Sequence, residues 1–191
     1  CGSEVALEIH RSMRYSTHFE LVGASSVIDH GAFVYDNYFD GVPFHNDPDF
    51  IPKLKQLVDR EQIDAIFPTM DAVARTLKSN EKALGCVVIG SGNETTTLCS
   101  SKSATYSALA EHLRCPAWTS NIERVDKYPV FIKPDEGYGS RKVHLAHNRE
   151  SGVRFLEDNP DTSFLFCEHL PGEEFTVDCF SDSTGSLLFH G

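Results

Sequence analysis

Between Glu4 and Tyr15 the apolar residues Val5, Ile9 and Met13 recur every four positions, the spacing of one face of an α-helix. Phe19 to Ala24 then reads as a short buried strand, and a loop rich in Asp, Asn, Gly and Pro follows. Phe50, Leu54, Leu57 and Val58 mark a second amphipathic helix, and Ile63 to Phe67 a strand stopped by Pro68. The unit recurs with Val73 and Leu77 on a helix and Cys86 to Ile89 as a strand ending at Gly90. Helix alternating with strand predicts a parallel sheet covered on both faces, the open α/β class.

The pattern changes after Gly92. Asn93 to Ser101 is a polar stretch, Tyr106, Leu109, Ala110 and Leu113 share one face of a helix, and Pro116 to Trp118 breaks it. Beyond Asp126 come short runs of strand character: Val130 to Lys133, Lys142 to Ala146, Phe164 to Glu168, Phe175 to Phe180 and Leu187 to Phe189, with one helix near Gly152 to Leu156. The expected division is an α/β domain over 1–92, a helical connector over 93–126 and an antiparallel α+β unit over 127–191. Cys1-Gly2-Ser3 looks like the turn that follows a first strand in α/β folds, so the chain is expected to begin after that strand.

A length of 191 residues, with 40% hydrophobic and 24% charged positions, is ordinary for a folded protein and excludes a disordered tail, a fibre or a coiled-coil rod. The formal charge of −11 comes without any Lys/Arg run, which argues against nucleic acid and anionic membrane as partners. No run approaches the length of a membrane span, and without a charged stretch before an apolar run in the first residues no export signal is expected. Six scattered cysteines without a CxxC pair predict reduced thiols and a cytoplasmic protein, and the nine histidines include no HExxH, so no structural metal is expected.

Chemistry concentrates in two windows. In Tyr128-Pro-Val-Phe-Ile-Lys133, a buried strand ends in a lysine, and Gly137-Tyr-Gly-Ser140 follows as a turn before another strand. Gly137 and Gly139 would let backbone amides approach anionic oxygens, Ser140 adds a hydroxyl donor and Lys133 a point charge. Alone, these residues read first as a plain hairpin with a solvated lysine at its tip. The second window, Phe164-Leu-Phe-Cys-Glu-His-Leu-Pro-Gly-Glu-Glu-Phe-Thr-Val-Asp178, runs strand, linker, strand. Linker backbone groups can pair with the edge of a planar base, and a following carboxylate can accept from ribose hydroxyls. An ordinary hairpin with solvated Glu173 and Glu174 is the other reading.

Taken in order, Lys102, Lys133 with its glycine-rich loop, and Glu168-His-Leu-Pro-Gly-Glu-Glu174 resemble the ATP-grasp superfamily, most closely the PylC-like and carbamoyl-phosphate-synthase-like ligases. The resemblance implies a Rossmann-like pre-ATP-grasp domain followed by an ATP-grasp subdomain incomplete at its C-terminus. It implies that Lys102 and Lys133 touch ATP phosphates together with Gly137, Gly139 and Ser140. The backbone of Glu168 and Leu170, in a linker beginning at Cys167, would hold adenine, and Glu174, opening the next strand, would bind ribose. Glu173 should then face the other way by strand alternation.

Lys142 stands where the family loop usually has glycine. The family's Mg²⁺ ligands are expected beyond Gly191, with Asp178 and Asp182 read as solvated carboxylates, so the chain by itself is expected not to turn over ATP and to fold poorly alone. The implied activity is ATP-dependent joining of a small-molecule carboxylate to an amine through an acyl phosphate, with ATP and Mg²⁺ as cofactors. A non-catalytic nucleotide or small-molecule binding module with a degenerate site is the alternative. A dinucleotide enzyme is disfavoured because the opening turn lacks GxGxxG.

Overall fold

The four-residue recurrence from Val5 forms helix α1, Glu4–Met13, whose Ala6 is buried. The computed structural model describes residues 2–137, 139, 141–182 and 184–191, and the chain divides into two compact units. The first comprises Cys1–Cys115 and Pro134–Arg141, the second Pro116–Lys133 and Lys142–Gly191.

In the first unit, strands β1, Val22–Ala24, and β2, Asn37–Phe39, pair in parallel. Gly23 is required there: a Cβ on it would come within 2.8 Å of the Tyr35 ring. Helix α2, Phe50–Arg60, leads to strand β3, Ala65–Ile66. Helices α3, Asp71–Ser79, and α4, Glu81–Leu84, then lead to strand β4, Val87–Val88, parallel to β3. The periodic residues of α2 do what their spacing implies. Phe50, Leu54 and Leu57 meet Leu77, Leu84 and Val88 in one core, with Leu84 fully buried. Gly85 ends α4 in the left-handed conformation at φ +73°, where a residue with a Cβ is disfavoured.

Helices α5, Asn93–Ser100, and α6, Lys102–Leu109, complete this unit. The polar stretch that opens the expected helical connector is helical as α5. Non-local bonds support it, from Ser79 Oγ to Asn93 and from Arg75 to Ser100 Oγ. Strand β2 was hidden, within a segment that reads as loop.

The second unit is built on four strands: β5, Trp118–Thr119; β6, Val130–Pro134; β7, His144–Ala146; and, after helix α7, Arg149–Glu157, strand β8, Phe164–Glu168. Their order across the sheet is β5-β8-β6-β7, with β6 antiparallel to β7 and β5 antiparallel to β8. Val130, Ile132, Ala146, Phe164 and Phe166 form its core. Gly152 lets α7 lie close on that core, since a Cβ there would sit 3.0 Å from Ile122 Cδ1 and 3.5 Å from Ile132 Cδ1. The Tyr128–Pro129 peptide is cis. Strands β9, Cys179–Ser181, and β10, Leu187–His190, form an antiparallel hairpin whose Phe180, Leu187, Leu188 and Phe189 are exposed.

The protein is thus a mixed α/β fold, and among the described residues no helix is long and apolar enough to cross a membrane.

Candidate functional site

Lys102 opens α6, and Ser101 before it is the N-cap, accepting from Ala104 N–H. The Lys102 ammonium donates to two loop carbonyls, Asp135 O at 3.2 Å and Gly137 O at 3.3 Å. Lys102 and Gly137 are therefore in hydrogen-bond contact. Gly137 lies at φ +133° and Gly139 at φ +68°, conformations a bare backbone reaches without steric cost. Ser140, the third loop residue singled out by sequence, lies outside the described residues.

Lys133 is half-buried on β6, one position beyond the fully buried Ile132. The alternation of a strand turns the two side chains to opposite faces, so the residue that anchors the core fixes the direction of the lysine. Strand β8 is the neighbour of β6 in the sheet, and Glu168 is its last residue. The N–H of Glu168 donates to Ala117 O at 2.8 Å and its carboxylate accepts from Ala117 N–H at 3.3 Å. The strand-end lysine and the start of the linker thus occur on adjacent strands of one sheet.

Two expectations require correction here. Cys167 is buried inside β8 and does not begin the linker, which starts only after Glu168. Glu174 does not open a strand. Residues 170–178 are outside any strand and β9 begins at Cys179, so the argument placing Glu173 and Glu174 on opposite faces has no strand to rest on. Leu170 is 57% exposed and Glu174 is exposed.

Lys142 adopts φ +54°, the left-handed conformation in which glycine is at ease and other residues pay about 1–2 kcal/mol. Its ammonium donates to Thr162 Oγ1 at 2.8 Å. Replacing Lys142 by Gly is expected to raise stability by about 0.5–1 kcal/mol, the relieved strain less the added freedom of the unfolded chain. In urea unfolding the midpoint should rise at constant m-value; an unchanged or lower midpoint would contradict the strain.

Sequence reasoning missed Asp135, the residue after the Lys133-Pro134 pair. Its carboxylate accepts from Ser103 N–H and Ser103 Oγ, both at 2.8 Å, and from Ser101 Oγ at 3.1 Å. Burial pushes this carboxyl up, but the bonds from Ser103 and Ser101 and the nearby Lys102 charge outweigh it and hold it below the ordinary value. Glu136 next to it pairs with Arg75 at 2.9 Å. Asp182 serves the β9–β10 turn, accepting from Thr184 Oγ1, Ser186 N–H and Thr184 N–H, and these bonds lower its pKa. Among the described residues no three His, Cys, Asp or Glu side chains gather to hold a metal ion.

Residues 99–190 match the family model of the ATP-grasp domain. Among curated proteins, the D-alanine–D-alanine ligase of Clostridium perfringens is 29% identical over 113 residues, covering 53% of this chain and 38% of the ligase. Among solved structures, N5-carboxyaminoimidazole synthetase from Staphylococcus aureus, complexed with ADP, superposes with a TM-score of 0.69 at 15% identity, over 89% of this chain and 46% of the synthetase. Biotin carboxylase of Campylobacter jejuni in an ATP complex gives a TM-score of 0.67 at 17% identity, over 98% of this chain and 48% of the carboxylase. The chain therefore spans less than half the length of each of these relatives. The matched stretch begins before Lys102 and ends past Glu174, enclosing every motif residue considered above, so residues 99–190 are similar to the ATP-grasp domain.

Proposed function

We propose that this protein supplies the nucleotide-binding part of an ATP-dependent carboxylate–amine ligase, with a Rossmann-like pre-ATP-grasp domain in its first 92 residues, a connector over 93–126 and the ATP-grasp subdomain from residue 127. The observation that carries the reading is the ordered set Lys102, Lys133 with its glycine-rich loop, and the Glu168 linker inside a segment matching the ATP-grasp model. The adjacency of β6 and β8 supports it further, since it sets Lys133 and Glu168 on neighbouring strands.

In this reading Lys102 and Lys133 neutralise nucleotide phosphates, and the amides around Gly137 and Gly139, with the Ser140 hydroxyl, complete the cradle. The N–H of Glu168 is spent on Ala117 O, so we assign adenine to the Glu168 carbonyl as acceptor and the Leu170 N–H as donor. Glu174, exposed in an irregular segment, is assigned to the ribose hydroxyls. A carboxylate oxygen attacks the terminal phosphorus and ADP leaves; an amine then attacks the acyl phosphate, forming an amide and releasing phosphate. Such chemistry rests on positioning and charge neutralisation and needs no protein nucleophile. When bound, Mg²⁺ would supply further neutralisation of the phosphates, but the described residues assemble no ligand set for it. The partners are small molecules, a carboxylate and an amine.

The test is ADP release by the full-length gene product that carries these residues, with ATP, Mg²⁺ and a panel of amino acids and other carboxylates, and with hydroxylamine present to trap acyl phosphate as hydroxamate. Carboxylate-dependent hydroxamate is the expected product. Nucleotide binding without any carboxylate-dependent ADP release or hydroxamate across the panel would favour the non-catalytic module instead.

A further inference from the structure

We propose that Asp135 is a positioning residue that fastens the glycine-rich loop to the start of α6 and thereby sets the place of the Lys102 ammonium, an inference that rests on the nucleotide-site reading above. Asp135 binds the helix start with both ends. Its carboxylate takes Ser103 N–H, Ser103 Oγ and Ser101 Oγ, while its backbone carbonyl takes Lys102 N–H at 3.1 Å and the Lys102 ammonium at 3.2 Å. The ammonium also holds Gly137 O at 3.3 Å, so it bridges the first and third residues of the segment that follows Pro134. Arg75 adds a second tie through Glu136.

Ser101, Lys102, Ser103, Asp135 and Gly137 thus form one hydrogen-bonded group, although about thirty residues separate its two halves. Its consequence is mechanical, because the Asp135 carboxylate takes its hydrogen bonds from hydroxyls and an amide of the helix start while its carbonyl holds the ammonium in place. The side-chain entropy of a long lysine is lost before a phosphate arrives, and that pre-organisation strengthens binding. Without the Asp135 carboxylate, loop and helix start would separate and Lys102 would have to be ordered by the ligand.

A double-mutant cycle read by calorimetric titration of ATP tests this. Asp135→Ala should weaken ATP binding about ten-fold in the otherwise unchanged protein and by less than about two-fold when Lys102 is already Met. Asp135→Asn, which keeps an acceptor for Ser103 N–H, should restore most of the affinity; if the alanine variant does not fold, the pair Ser101→Ala and Ser103→Ala, which takes the hydroxyl donors from Asp135, carries the same cycle. Equal losses in both backgrounds, or no loss in either, would overturn the positioning role while leaving the nucleotide site standing. An unchanged protein that takes up no ATP would overturn the nucleotide reading and the role built upon it.

Discussion

Replacing Lys133 by Met is expected to weaken ATP binding by one to two orders of magnitude, corresponding to the ~1.5–3 kcal/mol of a charge-assisted hydrogen bond, with the fold intact. Methionine keeps the length and apolar stem of the side chain and removes only the charge and its donors. The lysine is half-buried near the end of β6, and its neighbour Ile132 carries the packing, so the loss should fall chiefly on ligand binding. Circular dichroism and urea unfolding close to those of the parent, with calorimetric affinity for ATP reduced at least ten-fold, are the expected pair of results. Unchanged affinity in a folded variant would remove Lys133 from the site.

The opposite separation is expected one residue earlier. Ile132→Ala should cost ~2–5 kcal/mol of stability, the range for emptying a buried aliphatic position. Ile132 is fully buried at the centre of β6, within the core made by Val130, Ala146, Phe164 and Phe166, and its Cδ1 lies where α7 approaches through Gly152. Because the surrounding strands are hydrogen-bonded into a sheet and Gly152 already permits close approach, little movement remains to fill the gap. Ile132→Val should cost only ~0.5–1.5 kcal/mol, since it removes a single methylene group. Urea midpoints decide between these values, and a loss below about 1 kcal/mol for the alanine variant would mean that the unit closes over the space.

What could be read in advance was what local pattern specifies. Helices α1, α2 and α3 were legible because their apolar faces repeat at helical spacing and the core takes up the faces of α2 and α3. Strand β8 was legible from end to end because Phe164 to Cys167 are buried on both faces, which an unbroken apolar run requires. The reading of Phe175 to Phe180 as one strand failed for the complementary reason. Its alternation is correct for a strand, but residues 173–178 are exposed throughout and pair with no neighbour until Asp178 meets Gly191. Helix α5 contains three consecutive β-branched threonines, which lowers helix propensity, and bonds from Ser79 and Arg75 support its ends. Of the candidate site, the lysines and the linker were legible as an ordered motif. Asp135 was not, because an acidic residue beside a turn announces nothing until the fold carries it to Ser101 and Ser103.

Calorimetric titration of the protein with ATP beside 2′,3′-dideoxy-ATP decides whether this chain binds an adenine nucleotide through the ordered lysines, loop and linker. Saturable binding of ATP at one site is expected, with weaker binding of the dideoxy analogue, which offers Glu174 no ribose hydroxyls. Absence of any heat of binding for ATP at millimolar concentration in the folded protein, or equal affinity for the two nucleotides, would contradict this reading, the first for the site as a whole and the second for the role of Glu174.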